Sequence, residues 1–178
     1  VDSAFPVGVF AHSWGLEAAW HAGYVDSDAT LQQFLRASIQ QTGWSMLPLL
    51  NSAYLEPTRL NELDTLADAF LTNSVTNRAS RVQGRTLVTT ASRVWPSQAL
   101  TDLERKAANG SAHVAPLSGV VFRIIGLPHE IAQKAMLYGA ARGILSAAVR
   151  LGAVGSYQAQ RMQHEAGHWL DTTLEHCA

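Results

Sequence analysis

The chain has 178 residues, 47% of them apolar and 15% charged, with 13 Lys+Arg against 14 Asp+Glu. That length matches one domain around a single buried core, and so small a share of charge leaves apolar surface for a partner. A formal charge of −1, with the basic residues scattered, excludes the electrostatic footprint of a nucleic-acid binder.

In chain order, a first helix is expected at about residues 11 to 23. From Ser27 onward Leu31, Phe34, Leu35 and Ile39 fall on one helical face, with Ser27 or Asp28 placed to cap the start. A further helix is expected at about 43 to 56, ended by Pro57. Leu60, Leu63, Leu66, Ala67 and Phe70 then form another apolar face, with Thr58 as its cap. Helical periodicity continues at about 74 to 94, 98 to 109, 117 to 125, 129 to 150 and 157 to 176. The best strand candidate is the β-branched run Val120 to Ile125, but helical patterns flank it and a lone strand has nothing to pair with. Breakers such as Pro57, Pro96, Asn109-Gly110 and Gly126-Leu127-Pro128 keep the connections short. The expectation is therefore all-α: one helical domain over residues 1–178, a bundle of about 8 to 10 helices without a significant sheet.

The single cysteine, Cys177, forms no internal disulfide, which fits a reducing cytoplasm. Arg123, Arg142 and Arg150 interrupt the most apolar stretches, and the sequence does not open on a basic and then apolar leader, so neither a membrane span nor a secretion signal is expected. Gly139, Gly143 and Ala147 place small side chains four residues apart, where another helix, from the same chain or a second copy, can approach closely.

Two motifs suggest an enzyme. His164-Glu165-Ala166-Gly167-His168 reads as H-E-x-x-H, in which two imidazoles share a zinc and Glu165 acts as base of a metallopeptidase. A third ligand is needed, yet Asp171 and Leu174 stand where the extended motif has glycine and histidine, and Gly167 loosens the helix by roughly 1 kcal/mol relative to Ala. Ala11-His12-Ser13-Trp14-Gly15 imitates the G-x-S-x-G nucleophile elbow, but no strand precedes it and no alternating strand and helix pattern follows. There is no G-x-x-x-x-G-K-[ST] loop, so any GTP is held by a partner. His12, His21 and His113 have no spaced ligand partners, and no metal site, cofactor or catalytic residue is expected.

Three blocks carry a family resemblance. Residues Asp2 to Glu17, DSAFPVGVFAHSWGLE, are similar to a D-S-x-x-P-x-G-x-[FY]-x-x-S-x-G-L-E opening. Asn77 to Leu87, NRASRVQGRTL, resembles an R-x-S-x-x-x-G-R-x-L helix, and Ala147 to Gly155 with Gln160-Arg161 resembles A-A-x-[RK]-L-x-x-x-G-Q-x-x-x-Q. His113 and Gly119 stand where a histidine and a glycine open a helix. These are the blocks of the urease accessory protein UreF family. Ser156 replaces the glutamine after the last glycine, and the C-terminal tail with H-E and R-L-F-x-S elements, which helps bind UreH (UreD), has no counterpart in this sequence.

The resemblance implies a helical homodimer that bridges UreH/UreD and the GTPase UreG in delivering nickel to apo-urease, working by contact rather than by bond chemistry. Carried over by motif, Glu17 and Arg150 are the leading candidates for the GTPase-facing surface, with Arg78 and Arg85 behind them and Ser13 and Gln160 as further partner-binding positions. Gly8, Gly15, Gly84, Gly152 and Gly155 are expected at turns or close approaches.

Overall fold

The computed structural model describes residues 14–110 and 112–177. The fold is all-α, with eight α-helices and one 3-10 turn and no strand among the described residues. Its helices are α1 (Leu16–His21), α2 (Asp28–Leu55), α3 (Leu60–Phe70), α4 (Ser74–Val94), α5 (Gln98–Asn109), α6 (Val114–Ile124), α7 (His129–Arg150) and α8 (Ser156–Cys177). None of them is long and apolar enough to cross a membrane. The chain divides into two compact units, one of Met46–Gln133 and one that joins residues 14–45 to 134–177.

Several starts follow their local chemistry. Ser27 caps α2 reciprocally with Thr30: Ser27 N–H donates to Thr30 Oγ1 at 3.0 Å and Thr30 N–H to Ser27 Oγ at 3.4 Å. Asn73 Oδ1 accepts from the N–H groups of Val75 and Thr76, and Ser97 Oγ from that of Leu100. Thr58 is not the cap of α3; it lies in a 3-10 turn, Pro57–Arg59, and Arg59 reaches forward to Glu62 at 2.7 Å instead.

The expected helices from Ser27 and at 43 to 56 are one helix, α2, which runs through Gly43 and Pro48. At Gly43 a Cβ would meet Thr173 Cγ2 at 2.3 Å, so this glycine marks a close approach of α8 rather than an end. In the same unit Asp28 is bonded by Gln158, and Glu165 by Gln32 at 3.2 Å. These pairs advance together along both helices, so α8 runs parallel to the first half of α2.

In the Met46–Gln133 unit, α4 packs on α5 and α6, and α3 on α6. Its core joins Ala53 of α2, Leu60 and Leu63 of α3, Leu87, Val88 and Ala91 of α4, Leu100 and Leu103 of α5, and Leu117 and Val121 of α6. Leu66 and Phe70 do not join the α3 face predicted for them: they are 48% and 72% exposed, on the rim of a face made by Leu60, Leu63 and Ala67. The strand candidate Val120 to Ile125 is helical, for every residue from Val114 to Val121 is buried and the propensity of valine and isoleucine yields to that burial. Gly119 makes it possible, since a Cβ there would lie 2.3 Å from the carbonyl oxygen of Leu50. In the last turn of α6, Arg123 donates to the carbonyls of Tyr54 and Leu55; Tyr54 stacks on His129 at 4.6 Å, and Asn51 Oδ1 meets His129 and Gln133 at 2.9 Å each.

Along the small-residue stripe, Gly143 and Ala147 are buried, while a Cβ at Gly139 would meet nothing within 4 Å. Gly84 is the opposite case, with Ala112 O only 2.0 Å from the added carbon. Chemical denaturation of Gly84→Ala is therefore expected to show a loss of about 2–3 kcal/mol or failure to fold. Gly139→Ala should be neutral or more stable by up to about 1 kcal/mol, because it only raises helix propensity.

Candidate functional site

The second motif block builds a polar centre around His113. Its imidazole is fully buried, with Nδ1 3.1 Å from Ser80 Oγ and Nε2 3.1 Å from Asp68 Oδ1. Ser80 Oγ also accepts the N–H of Val114 at 3.3 Å. Asn77 Nδ2 donates to Asp68 Oδ1 at 2.9 Å and to the carbonyl of Leu71 at 3.2 Å. Asp64 completes the arrangement, its two oxygens taking the N–H groups of Ala112 and His113 at 2.8 and 2.7 Å. The Asn77 and His113 hydrogen bonds hold Asp68 below the usual carboxylate range, against a smaller opposing effect of burial. An ionised carboxylate only accepts, so Nε2 of His113 carries the proton shared with Asp68. A histidine bonded at both nitrogens inside the fold is a structural member and not an open metal ligand.

Arg78 and Arg85 come from the same block and point the other way. Both are exposed on α4; Arg85 donates to the carbonyl of Gly110 at 3.2 Å, and Arg78 has no bonding partner among the described residues. Glu17, Arg150 and Gln160 are exposed as well, but belong to the other unit. Glu17 sits in the first turn of α1, which begins after Gly15 at φ 85° and where a carboxylate suits the helix dipole. Arg150 ends α7. There Gly152, at φ 72°, accepts the left-handed turn of a Schellman stop: its N–H donates to Val149 O at 3.1 Å and that of Ala153 to Ala148 O at 2.9 Å. The third block is thus a helix stop that leaves Arg150 at its rim, and Gly155 and the exposed Ser156 follow it into α8. Ser13 and His12, with most of the first block, lie outside the described residues.

His164, Glu165 and His168 are all exposed on α8, and Glu165 accepts from Gln32. Among the described residues no group of three His, Cys, Asp or Glu side chains is placed to hold a metal ion. The H-E-x-x-H spacing is met on the helix, and a third ligand is not brought to it, which leaves the peptidase reading without support.

Asp64 and Asp68 are residues that motif reading passed over, and Ser80, the serine of the second motif, was given no role by it. A signal existed: Asn77 and Ser80, three apart, share one helical face inside the second block, and Asp64 and Asp68, four apart, share one on α3.

Fold and motif geometry together define an all-α protein whose signature residues shape loops and leave charged side chains on the surface. Comparison with known proteins agrees. The UreF family model matches residues 25–167. Proteins named Urease accessory protein F are similar to the chain: that of Oryza sativa subsp. indica is 35% identical over 189 aligned positions, covering 98% of this chain and 72% of the relative, and that of Arabidopsis thaliana is 36% identical over 181, covering 98% and 75%. The UreF of Trichodesmium erythraeum is 32% identical over 172 positions, covering 90% and 73%. The chain belongs to the UreF family of urease accessory proteins.

The polar centre sets an acid limit. Asp68 binds a proton less readily folded than unfolded, so its stabilisation is complete above the ordinary carboxylate value of 3.8 and is lost as pH falls through its lower folded value. Urea unfolding at a series of pH values should show wild type losing stability on acidification through this range. Asp68→Asn should start lower at neutral pH and fall less steeply.

Proposed function

We propose that the chain is a nonenzymatic scaffold of urease maturation that bridges UreH (UreD) and the GTPase UreG and so regulates GTP-dependent insertion of nickel into apo-urease. In this reading it works in the cytoplasm as a homodimer, binds neither nucleic acid nor membrane, and contributes surfaces rather than a reaction centre. Membership of the UreF family carries the proposal, and the exposure of every described motif residue assigned to partners supports it. Glu17, Arg150 and Gln160 lie in one compact unit and Arg78 and Arg85 in the other, as suits a protein that must meet more than one partner. A GTPase is regulated through contact only when its states are bound unequally, so the surface that faces UreG must discriminate between them.

The test is co-purification of the chain with UreH (UreD) and UreG, read alongside urease activation. Glu17→Ala and Arg150→Ala are expected to weaken UreG binding by roughly 10-fold to 100-fold, the usual effect of truncating one member of a charge-assisted interface pair. Helical circular dichroism and UreH binding should persist. Retention of UreG at wild-type strength by both variants would refute the assignment of this surface.

A further inference from the structure

Helix α4 has two faces of opposite chemistry. Asn77, Ser80, Gly84, Leu87, Val88 and Ala91 point inward to α5, α6 and the polar centre. On the opposite side Val75, Arg78, Val82 and Arg85 follow one another at intervals of three, four and three residues, which keeps all four on one stripe. Val75 is 73% and Val82 50% exposed, and both arginines are exposed.

The charge on this helix is balanced only in part: Asp68 lies within the field of Arg81 and Glu104 within that of Arg93, while Arg78 and Arg85 bond no carboxylate among the described residues. Its 21 residues include four arginines and no carboxylate, in a chain whose formal charge is −1. Every carboxylate from residue 56 to 110 is engaged by groups other than Arg78 and Arg85. Glu56 and Glu62 pair with Arg59, and Asp102 pairs with Arg105. Asp64 holds the N–H groups of Ala112 and His113, Asp68 holds Asn77 and His113, and Glu104 accepts the hydroxyls of Thr89 and Ser92. None of them bonds Arg78 or Arg85.

We propose that this stripe docks an acidic amphipathic helix of a partner protein. The spacing states the partner's chemistry: valine and arginine alternate at the a and d positions of two heptads, so a helix laid alongside buries its own apolar residue against each valine and sets a carboxylate against each arginine. Apolar layers about 10 Å apart bracketed by guanidinium forks suit such a helix better than a phosphate backbone, which offers nothing to Val75 and Val82. Arg85 uses one of its five N–H donors on Gly110, leaving the rest for the partner. The inference deepens the assignment of Arg78 and Arg85 to a partner surface and rests on that reading.

Its test needs no knowledge of the natural partner. The isotope-labelled chain is titrated, at low and high salt, with a designed four-heptad helical peptide bearing Leu at a and Glu at d, with the same peptide bearing Lys at d, and with a 20-base-pair DNA duplex. The Leu/Glu peptide should shift the amides around Val75, Arg78, Val82 and Arg85, with an affinity that falls as salt rises. Arg78→Glu/Arg85→Glu should weaken it by roughly tenfold or more and instead acquire binding of the Leu/Lys peptide, an exchange that a merely structural role of the arginines does not produce. Shifts centred elsewhere, equal affinity of wild type for both peptides, or tighter binding of the duplex at these residues would overturn the proposal. Loss of UreG on Glu17→Ala or Arg150→Ala is scored separately, so scaffold reading and docking stripe can fail independently.

Discussion

The constraint on which the Met46–Gln133 unit depends is the pair of hydrogen bonds from Asp64 to the N–H groups of Ala112 and His113. Ala112 is held at φ 62°, a left-handed conformation that costs a residue with a Cβ about 1 kcal/mol or more, and it is buried. That geometry turns two successive N–H groups toward one carboxylate, which offsets both the strain and the burial of the donors. Gly84 allows the same segment to lie against the backbone of α4, where no other residue fits without displacing Ala112. A local oddity in the backbone is thus required by a carboxylate on one neighbouring helix and a missing side chain on another.

What this arrangement positions is α6, the helix with least contact with water. Because every residue from Val114 to Val121 is buried, no exposed side of that stretch marks its register, and polar groups at the ends of the helix help to set it. At the start, Ser80 and Asp64 fix the N–H groups of residues 112–114; at the end, Arg123 ties it to the carbonyls that close α2. Gly119 between them lets the backbone of α2 approach. Sliding α6 by one turn would unmake all three fixations together, which explains how a featureless apolar helix acquires one position.

This also marks what the sequence disclosed. The helical character of every element was legible because apolar spacing is a local property, and the cap at Ser27 and the stop at Gly152 follow from chemistry within five residues. The joining of two predicted helices into α2 was not legible, since the reason for a glycine within it lies in Thr173, 130 positions away, which occupies the space a side chain at Gly43 would need. Likewise Leu66 and Phe70 obey the helical period but fall outside the width of face that the core covers, and period alone does not state that width. The polar centre escaped for a different reason: Asp64, Asp68 and His113 are unremarkable apart and acquire meaning only when α3, α4 and the segment before α6 are brought together.

The motif NRASRVQGRTL carries both kinds of residue at once, and the helix separates them. Asn77, Ser80 and Gly84 share the inward arc, where each meets a demand set by a neighbour: a carboxylate to orient, an imidazole to bond, a backbone to admit. Arg78, Val82 and Arg85 occupy the outward arc, where the fold makes a single demand, the bond from Arg85 to Gly110. Folding therefore accounts for the first set and leaves most of the second unexplained. Side chains that cost conformational entropy to order and that no internal contact requires are the natural place to look for a partner's imprint. The rigid inner arc fixes the pitch at which the outer one is presented, so the element that holds His113 also determines the spacing a partner would have to match.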